Sequence, residues 1–420
     1  MKFIHAADIH LDSPLVGLER YEGAPVEELR GATRKAFENL IRLAIDEAVN
    51  VVLLAGDIYD GNWRDYNVGL YFVKQMEELA RHGIRVFMVS GNHDAANRIS
   101  RDLKLPANVH RFSSKSPETI VDHALGIAVH GQSYLTAELQ ENLAVSYPES
   151  VPGCFNIGLL HSGVTGRPGH ANYAPCSLDN LIAKNYDYWA LGHIHLREEM
   201  SREPWVVMPG NIQGRHARET GAKGCTLVTV ANQTVQDVAH LPLDVVRWAR
   251  IMVDASQAEN PDEALDLAVA RCNEAAAACD NLLLAVRIEF VGRTPAHAQF
   301  ITNGEQWKNE LRALFLSHFG DRLWAEKILF KTVHGVDLDG LADAGDPFAL
   351  LIHAMGNADD LEDVLATERG AIDAVLNKIP ADLRDQLELP DLNNPDEMHA
   401  LFDEIREMLL PMLVADRGAK

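Results

Sequence analysis

From Met1 to about Val230 the chain repeats one pattern: a short apolar run rich in β-branched residues, an abrupt turn containing Gly, Asn, His or Asp, and often a helical period after it. Runs of this length between turn signals read as strands buried on both faces. They are Phe3 to Ala7, Val51 to Ala55, Val86 to Ser90, Ile127 to His130, Ile157 to Leu160, Tyr188 to Leu191, Trp205 to Met208 and Thr226 to Val230. Between the first two, Phe37, Leu40, Ile41, Ala44, Ile45 and Ala48 recur at helical spacing, which predicts an amphipathic helix over Pro25 to Val49. The pattern predicts a layered α/β domain with a sheet core over residues 1–243.

After Leu243 the spacing changes. A strand at Arg250 to Val253, a helix from Pro261 to Cys279, a strand from Leu282 to Val291, a helix near Glu305 to His318 and a strand from Trp324 to Val333 predict a small α+β cap domain over 244–335. Asn260-Pro261 supplies a cap residue and a proline at the first helical position. Over 336–420, Asp- and Gly-containing spacers separate helical stretches. The last runs from Asn394-Pro395 to about Val414, with Met398, Leu401, Phe402, Ile405, Met408, Leu409, Met412 and Leu413 in one stripe. Such a stripe either packs on its own domain or docks on a partner.

Composition limits the function classes. No apolar run approaches membrane-spanning length and the chain opens without a secretory-type stretch, so a cytoplasmic protein without a membrane partner is expected. Five cysteines without paired spacing predict neither a disulfide framework nor a cysteine zinc site. A formal charge of -23 speaks against nucleic acid at first sight. Its distribution softens that objection, because Val336 to Lys420 alone carries 20 acidic and 6 basic residues.

Five strand ends carry metal-competent side chains, at the place where open α/β sheets put their ligand sites. They are Asp8-Ile9-His10, Gly56-Asp57, Gly91-Asn92-His93-Asp94, His161, and Gly192-His193-Ile194-His195. Any one His could be a satisfied core histidine, but so many at equivalent positions make coincidence a poor account. A mixed Asp, Asn and His set suits manganese, iron or zinc better than magnesium. Seven candidate ligands exceed what one tetrahedral zinc takes, whereas two ions sharing Asp57 would use them all.

In this order the residues resemble the calcineurin-like metallophosphoesterase superfamily. The resemblance implies a β-sandwich flanked by helices and a dinuclear centre, most simply of two manganese ions. Asp8, His10, Asp57 and His195 would hold the first ion, and Asp57, Asn92, His161 and His193 the second. His93 would stay free to act on the substrate. Within the superfamily, Phe3 to Pro14, Asp187 to His195 and Pro209 to Arg215 look like SbcD-type exonucleases, especially the YhaO-like branch of bacterial repair exonucleases. Asp60 stands where many relatives have a histidine.

That likeness implies a nuclease subunit for DNA end processing and repair, with DNA and an SMC-like coiled-coil ATPase as partners, and leaves room for a homodimer. The expected chemistry is in-line phosphodiester hydrolysis with His93 as proton donor to the departing oxygen. Arg64, Arg98, Arg101, Arg215 and Arg218 follow ligand-bearing or neighbouring strands and are candidate phosphate contacts. Two alternatives stay open: a phosphodiesterase of small nucleotides, and a scaffold that has lost the reaction. The cap domain and tail favour the nuclease.

Overall fold

A computed structural model describes residues 1–11, 13, 24–60, 66–96, 103–164, 174–279 and 282–334, with residues 370 and 378. By its internal contacts the chain divides into two compact units. The first comprises Met1–Arg250, Ala275–Val286 and Asp321–Glu326.

In this first unit, among the described residues, two six-stranded sheets carry the candidate chemistry. One contains β1 (Lys2–Ala6), β2 (Val51–Ala55), β3 (Arg85–Val89), β4 (Val109–Arg111), β11 (Gly224–Ala231) and β12 (Thr234–Pro242), in the order β12-β11-β1-β2-β3-β4. The other contains β5 (Glu118–Asp122), β6 (Ile127–Gly131), β7 (Phe155–His161), β8 (Tyr188–Gly192), β9 (Glu198–Arg202) and β10 (Trp205–Met208), in the order β5-β6-β7-β8-β10-β9. In the first sheet β1, β2, β3 and β4 run parallel, and in the second β6, β7, β8 and β10 do.

Period-two alternation packs these sheets. Phe3, Val51, Leu53, Ala55 and Phe87 from one sheet meet Phe155, Ile157, Leu159, Tyr188 and Ala190 from the other in a shared core. The intervening residues Ile4, Val52, Leu54, Val86 and Met88 turn outward. There they pack with α1 (Val26–Asp46) and α2 (Tyr66–Arg81) through Phe37, Leu40, Ala44, Phe72 and Met76. Trp189 and Leu191 turn to the opposite outer layer, beside α4 (Leu178–Ile182), which follows the short α3 (Asn92–Ala96) in the chain. Each sheet is thus apolar on both faces, which is why its central strands read as unbroken apolar runs.

The two sheets approach closely at ends that bear ligands. A Cβ on Gly192, at the end of β8, would lie 2.0 Å from the Ala55 carbonyl oxygen at the end of β2. Backbone cannot yield as a side-chain tip can, so Gly192→Ala is expected to force the strand ends apart. We expect a loss of about 1–3 kcal/mol, typical of overpacking, measured by thermal or urea unfolding. An unchanged midpoint would show that this approach is not tight.

Further along the chain lie β13 (Val246–Asp254), α5 (Pro261–Ala277), β14 (Leu283–Thr294), α6 (His297–Thr302), α7 (Gly304–Phe319) and β15 (Leu323–His334). The three strands form a sheet in the order β13-β14-β15. Within the second unit, whose described part is chiefly Ile251–Glu274, Arg287–Gly320 and 327–334, Phe300 stacks on Phe330 at 4.2 Å, with Phe290 against both. The predicted helix at Asn394 to Val414 lies outside the described residues.

Candidate metal centre

Four of the candidate ligands sit in sharp turns that follow their strands, whereas His161 is the last residue of β7 and Asn92 opens a short helix. Asp8, His10, Asp57 and His193 all have left-handed backbone, with φ of 51, 45, 52 and 101°. Non-glycine residues held there cost on the order of 1–3 kcal/mol each, and such strain concentrates where a side chain must be aimed. Backbone bonds help to fix the turns: Asp8 N–H donates to Gly56 O and His10 N–H to Asp57 O, each at 3.0 Å.

The structure brings all seven candidate ligands together. In one group Asp8, His10 and His195 offer atoms within 4.8 Å of one another, and in the other Asp57, His161 and His193 do. Asn92 joins the second group, its Oδ1 at 3.1 Å from His161 Nε2. Asp57 stands between the groups, Oδ2 lying 3.4 Å from His161 Nε2 and 4.0 Å from His10 Nε2. Asp8 also accepts the His193 backbone N–H, at 3.0 Å from Oδ2. Asp8, His10, Asp57 and His161 are buried.

Hydrogen bonds on the far side of the rings set their tautomers. His161 Nδ1 lies 2.8 Å from Ala55 O, which can only accept, so the proton belongs on Nδ1 and a lone pair on Nε2. His195 Nδ1 likewise lies 2.6 Å from Glu219 Oε1. On a neutral ring the His161 lone pair would therefore face two oxygens, those of Asp57 and Asn92, and His195 Nε2 faces His10 Nε2 at 3.2 Å. Donors of electron pairs crowded this way need positive charge among them. Burial opposes charge on His161, but Asp57 outweighs it, with help from Asp8 and the Ala55 carbonyl, and lifts its pKa to about 9. A bound cation would answer the same field that holds this proton. The donor set thus fits two divalent ions.

His93 belongs to neither of these groups, but with His10 and Asp60 it makes a third set of atoms within 4.8 Å of one another, its ring meeting that of His10 edge-on at 4.9 Å. Its side chain is 39% exposed, and Nδ1 lies 3.0 Å from Asp60 Oδ1. Asp60 also accepts from the Ser13 hydroxyl at 2.6 Å and lies 3.5 Å from both His10 Nδ1 and Arg215 Nη1. Among the candidate arginines, Arg215 is half-buried between Asp60 and Glu219, whereas Arg218 is exposed. Arg64, Arg98 and Arg101 lie outside the described residues.

Two supporting carboxylates escaped the sequence reading as site residues. Asp94 is buried and accepts the backbone N–H of Ile58, Tyr59 and Gly91 at 3.2, 3.0 and 3.0 Å, tying the turn after β2 to the turn after β3. Burial, and then the charge of Asp57, pushes its pKa up to about 6. Its place beside Asn92-His93 was the available signal. Glu219 had none, since it lies 24 positions beyond His195 and only the fold returns it. Its other oxygen takes Asn211 Nδ2 at 2.9 Å and Arg215 N–H at 2.7 Å. Glu219→Gln is expected to weaken metal binding by about 10–100-fold, as loss of an outer carboxylate on a ligating histidine does. Titration of the metal-free protein with manganese would measure this, and an unchanged affinity would remove Glu219 from the site.

Residues 1–197 match the calcineurin-like phosphoesterase family, and residues 248–333 match the middle domain of the metallophosphoesterase YhaO. Residues 1–197 thus form a calcineurin-like phosphoesterase domain. It is 39% identical over 264 residues to the uncharacterized metallophosphoesterase YhaO of Bacillus subtilis, covering 62% of this chain and 64% of that one. It is 24% identical over 231 residues to the DNA double-strand break repair protein Mre11 of Methanopyrus kandleri, covering 50% and 48%. A dimetal phosphatase structure from Danio rerio matches at 13% identity and a TM-score of 0.34, covering 58% of this chain and 97% of that one. The chain thus spans about half to two thirds of the length of these curated relatives. No helix among the described residues is long and apolar enough to cross a membrane.

Proposed function

We propose that the chain is a DNA nuclease that hydrolyses phosphodiesters at a dinuclear manganese centre. The reading is carried by two donor groups meeting at Asp57 with a partly exposed His93 at their side. Asp8, His10, Asp57 and His195 would hold one ion, and Asp57, Asn92, His161 and His193 the other. Bound divalent ions supply Lewis acidity, which makes water more acidic and offsets charge on phosphoryl oxygens.

The protein's own groups do the rest. His93 gives its proton to the ester oxygen that leaves as water's oxygen bonds to phosphorus, and Asp60 fixes the imidazole through Nδ1. Arg215 and Arg218 lie in the loop after β10 and offer guanidinium charge to a phosphate. The Mre11 likeness supports DNA over a small nucleotide, as does the second unit, which a small substrate does not need. By the same reasoning an SMC-like ATPase is the proposed partner, docking on Asn394 to Val414, and the cytoplasm the proposed compartment. Deleting Asn394 to Lys420 should spare hydrolysis of a simple diester and abolish ATP-dependent cutting.

The decisive assay presents the purified protein and manganese with end-labelled double-stranded DNA, a single-stranded circle and bis(4-nitrophenyl) phosphate. Shortened or opened DNA is expected. Hydrolysis of the nitrophenyl ester alone would replace the nuclease reading with a small-substrate phosphodiesterase.

A further inference from the structure

We propose that a cavity beside the metal centre holds a second backbone phosphate of the substrate strand, next along from the one being cut. This rests on the nuclease reading and deepens it. The cavity, of about 350 Å³, is bounded by Arg111, Ser113, Ser114, Lys115, Ser133 and Tyr134. That volume falls in the roughly 300–1,000 Å³ range of small-ligand sites. It adjoins the ligand cluster, because Ser90, which also lines it, directly precedes Gly91-Asn92. In addition, the Tyr134 ring meets the His161 ring edge-on at 5.5 Å.

The chemistry of the wall suits a phosphodiester. In a chain of net charge -23, two cationic side chains, Arg111 and Lys115, converge on one cavity. Lys115 is exposed, and its ammonium makes no ion pair among the described residues. Among the described residues the Tyr134 hydroxyl has no hydrogen-bond partner, on a side chain only 3% exposed. Among the described residues Asp94 is the single carboxylate lining the cavity, and its oxygens accept the backbone N–H groups of Ile58, Tyr59 and Gly91. Leu135, 54% exposed, adds apolar surface at the rim for a sugar or base. A flexible ammonium with hydroxyls grips phosphate and reads no base, as contacts to nucleic-acid backbones do.

The test compares wild type with Lys115→Glu and the milder Lys115→Ala on a single-stranded oligonucleotide and on bis(4-nitrophenyl) phosphate, which has no second phosphate. Lys115 is exposed and outside the cutting machinery, so both variants should fold and hydrolyse the small ester normally. On the oligonucleotide, kcat/KM should fall about 10-fold for Lys115→Glu, carried by KM. The slope of log KM against log salt should drop by about 0.7, the value of one phosphate contact on a single strand. Unchanged oligonucleotide kinetics, or an equal loss on both substrates, would overturn the subsite. Failure of the nuclease reading shows separately, as wild-type protein that hydrolyses the ester and leaves the oligonucleotide intact.

Discussion

Asp57→Asn is expected to empty both halves of the metal centre at once, where loss of any other ligand would empty one. Asp57 is the residue whose carboxylate faces both groups, through Oδ2 to His161 Nε2 and to His10 Nε2. The amide of Asn has nearly the same shape and can still accept the His93 backbone N–H, which Asp57 Oδ1 takes at 3.0 Å. What changes is the other atom: an acceptor of full negative charge becomes an N–H donor that repels a cation. Several kcal/mol of transition-state charge stabilisation depend on such ions. At about 1.4 kcal/mol per decade, activity should fall by about a thousandfold or more.

Metal analysis of the variant should find less than one ion per chain where the wild type carries two. The substitution also removes the charge that pairs with the His161 imidazolium, so the metal-free variant should melt below metal-free wild type. It should also lack any rise in melting temperature that added manganese produces in the wild type, since a ligand that binds only the folded state stabilises it by mass action. Two ions retained by Asp57→Asn would end the bridging role.

The central strands and the metal-competent residues at their ends were legible in the sequence for one reason. β1, β2, β7 and β8 are buried almost throughout, so each appears as an apolar run cut off by a turn. β4, β5, β9 and β12 went unread, and each is the edge of a six-stranded sheet. Their residues are largely half-buried or exposed, as in Glu-Glu-Met-Ser-Arg of β9, so no apolar run marks them. β13 alternates buried with more exposed positions over Val246–Asp254, and only its stretch Arg250 to Val253 drew notice. The helix α2 did carry a signal, with Val68, Phe72, Met76 and Leu79 buried at helical spacing, which the reading passed over. The site divides similarly: residues at strand ends announce themselves, whereas Glu219 acts from a loop through another residue's far nitrogen.

His93→Ala should separate proton donation from metal binding. Because His93 belongs to neither donor group, its loss should leave two ions in place, while turnover of DNA falls by about 100- to 10,000-fold, the usual contribution of a positioned acid. The deficit should depend on the leaving group. A sugar oxygen departs poorly without a proton, whereas 4-nitrophenolate is stable as an anion, so bis(4-nitrophenyl) phosphate should lose far less activity than DNA. Asp60→Asn should show the same selectivity in weaker form. Burial works against charge on Asp60, but hydrogen bonds with His10, His93 and Ser13 hold its carboxyl well below the usual range, and Asp60 in turn raises the pKa of His93. The amide would still orient the ring but would no longer favour its protonated form. Equal losses on the two substrates would assign His93 to binding phosphate, and a loss of metal would place it among the ligands.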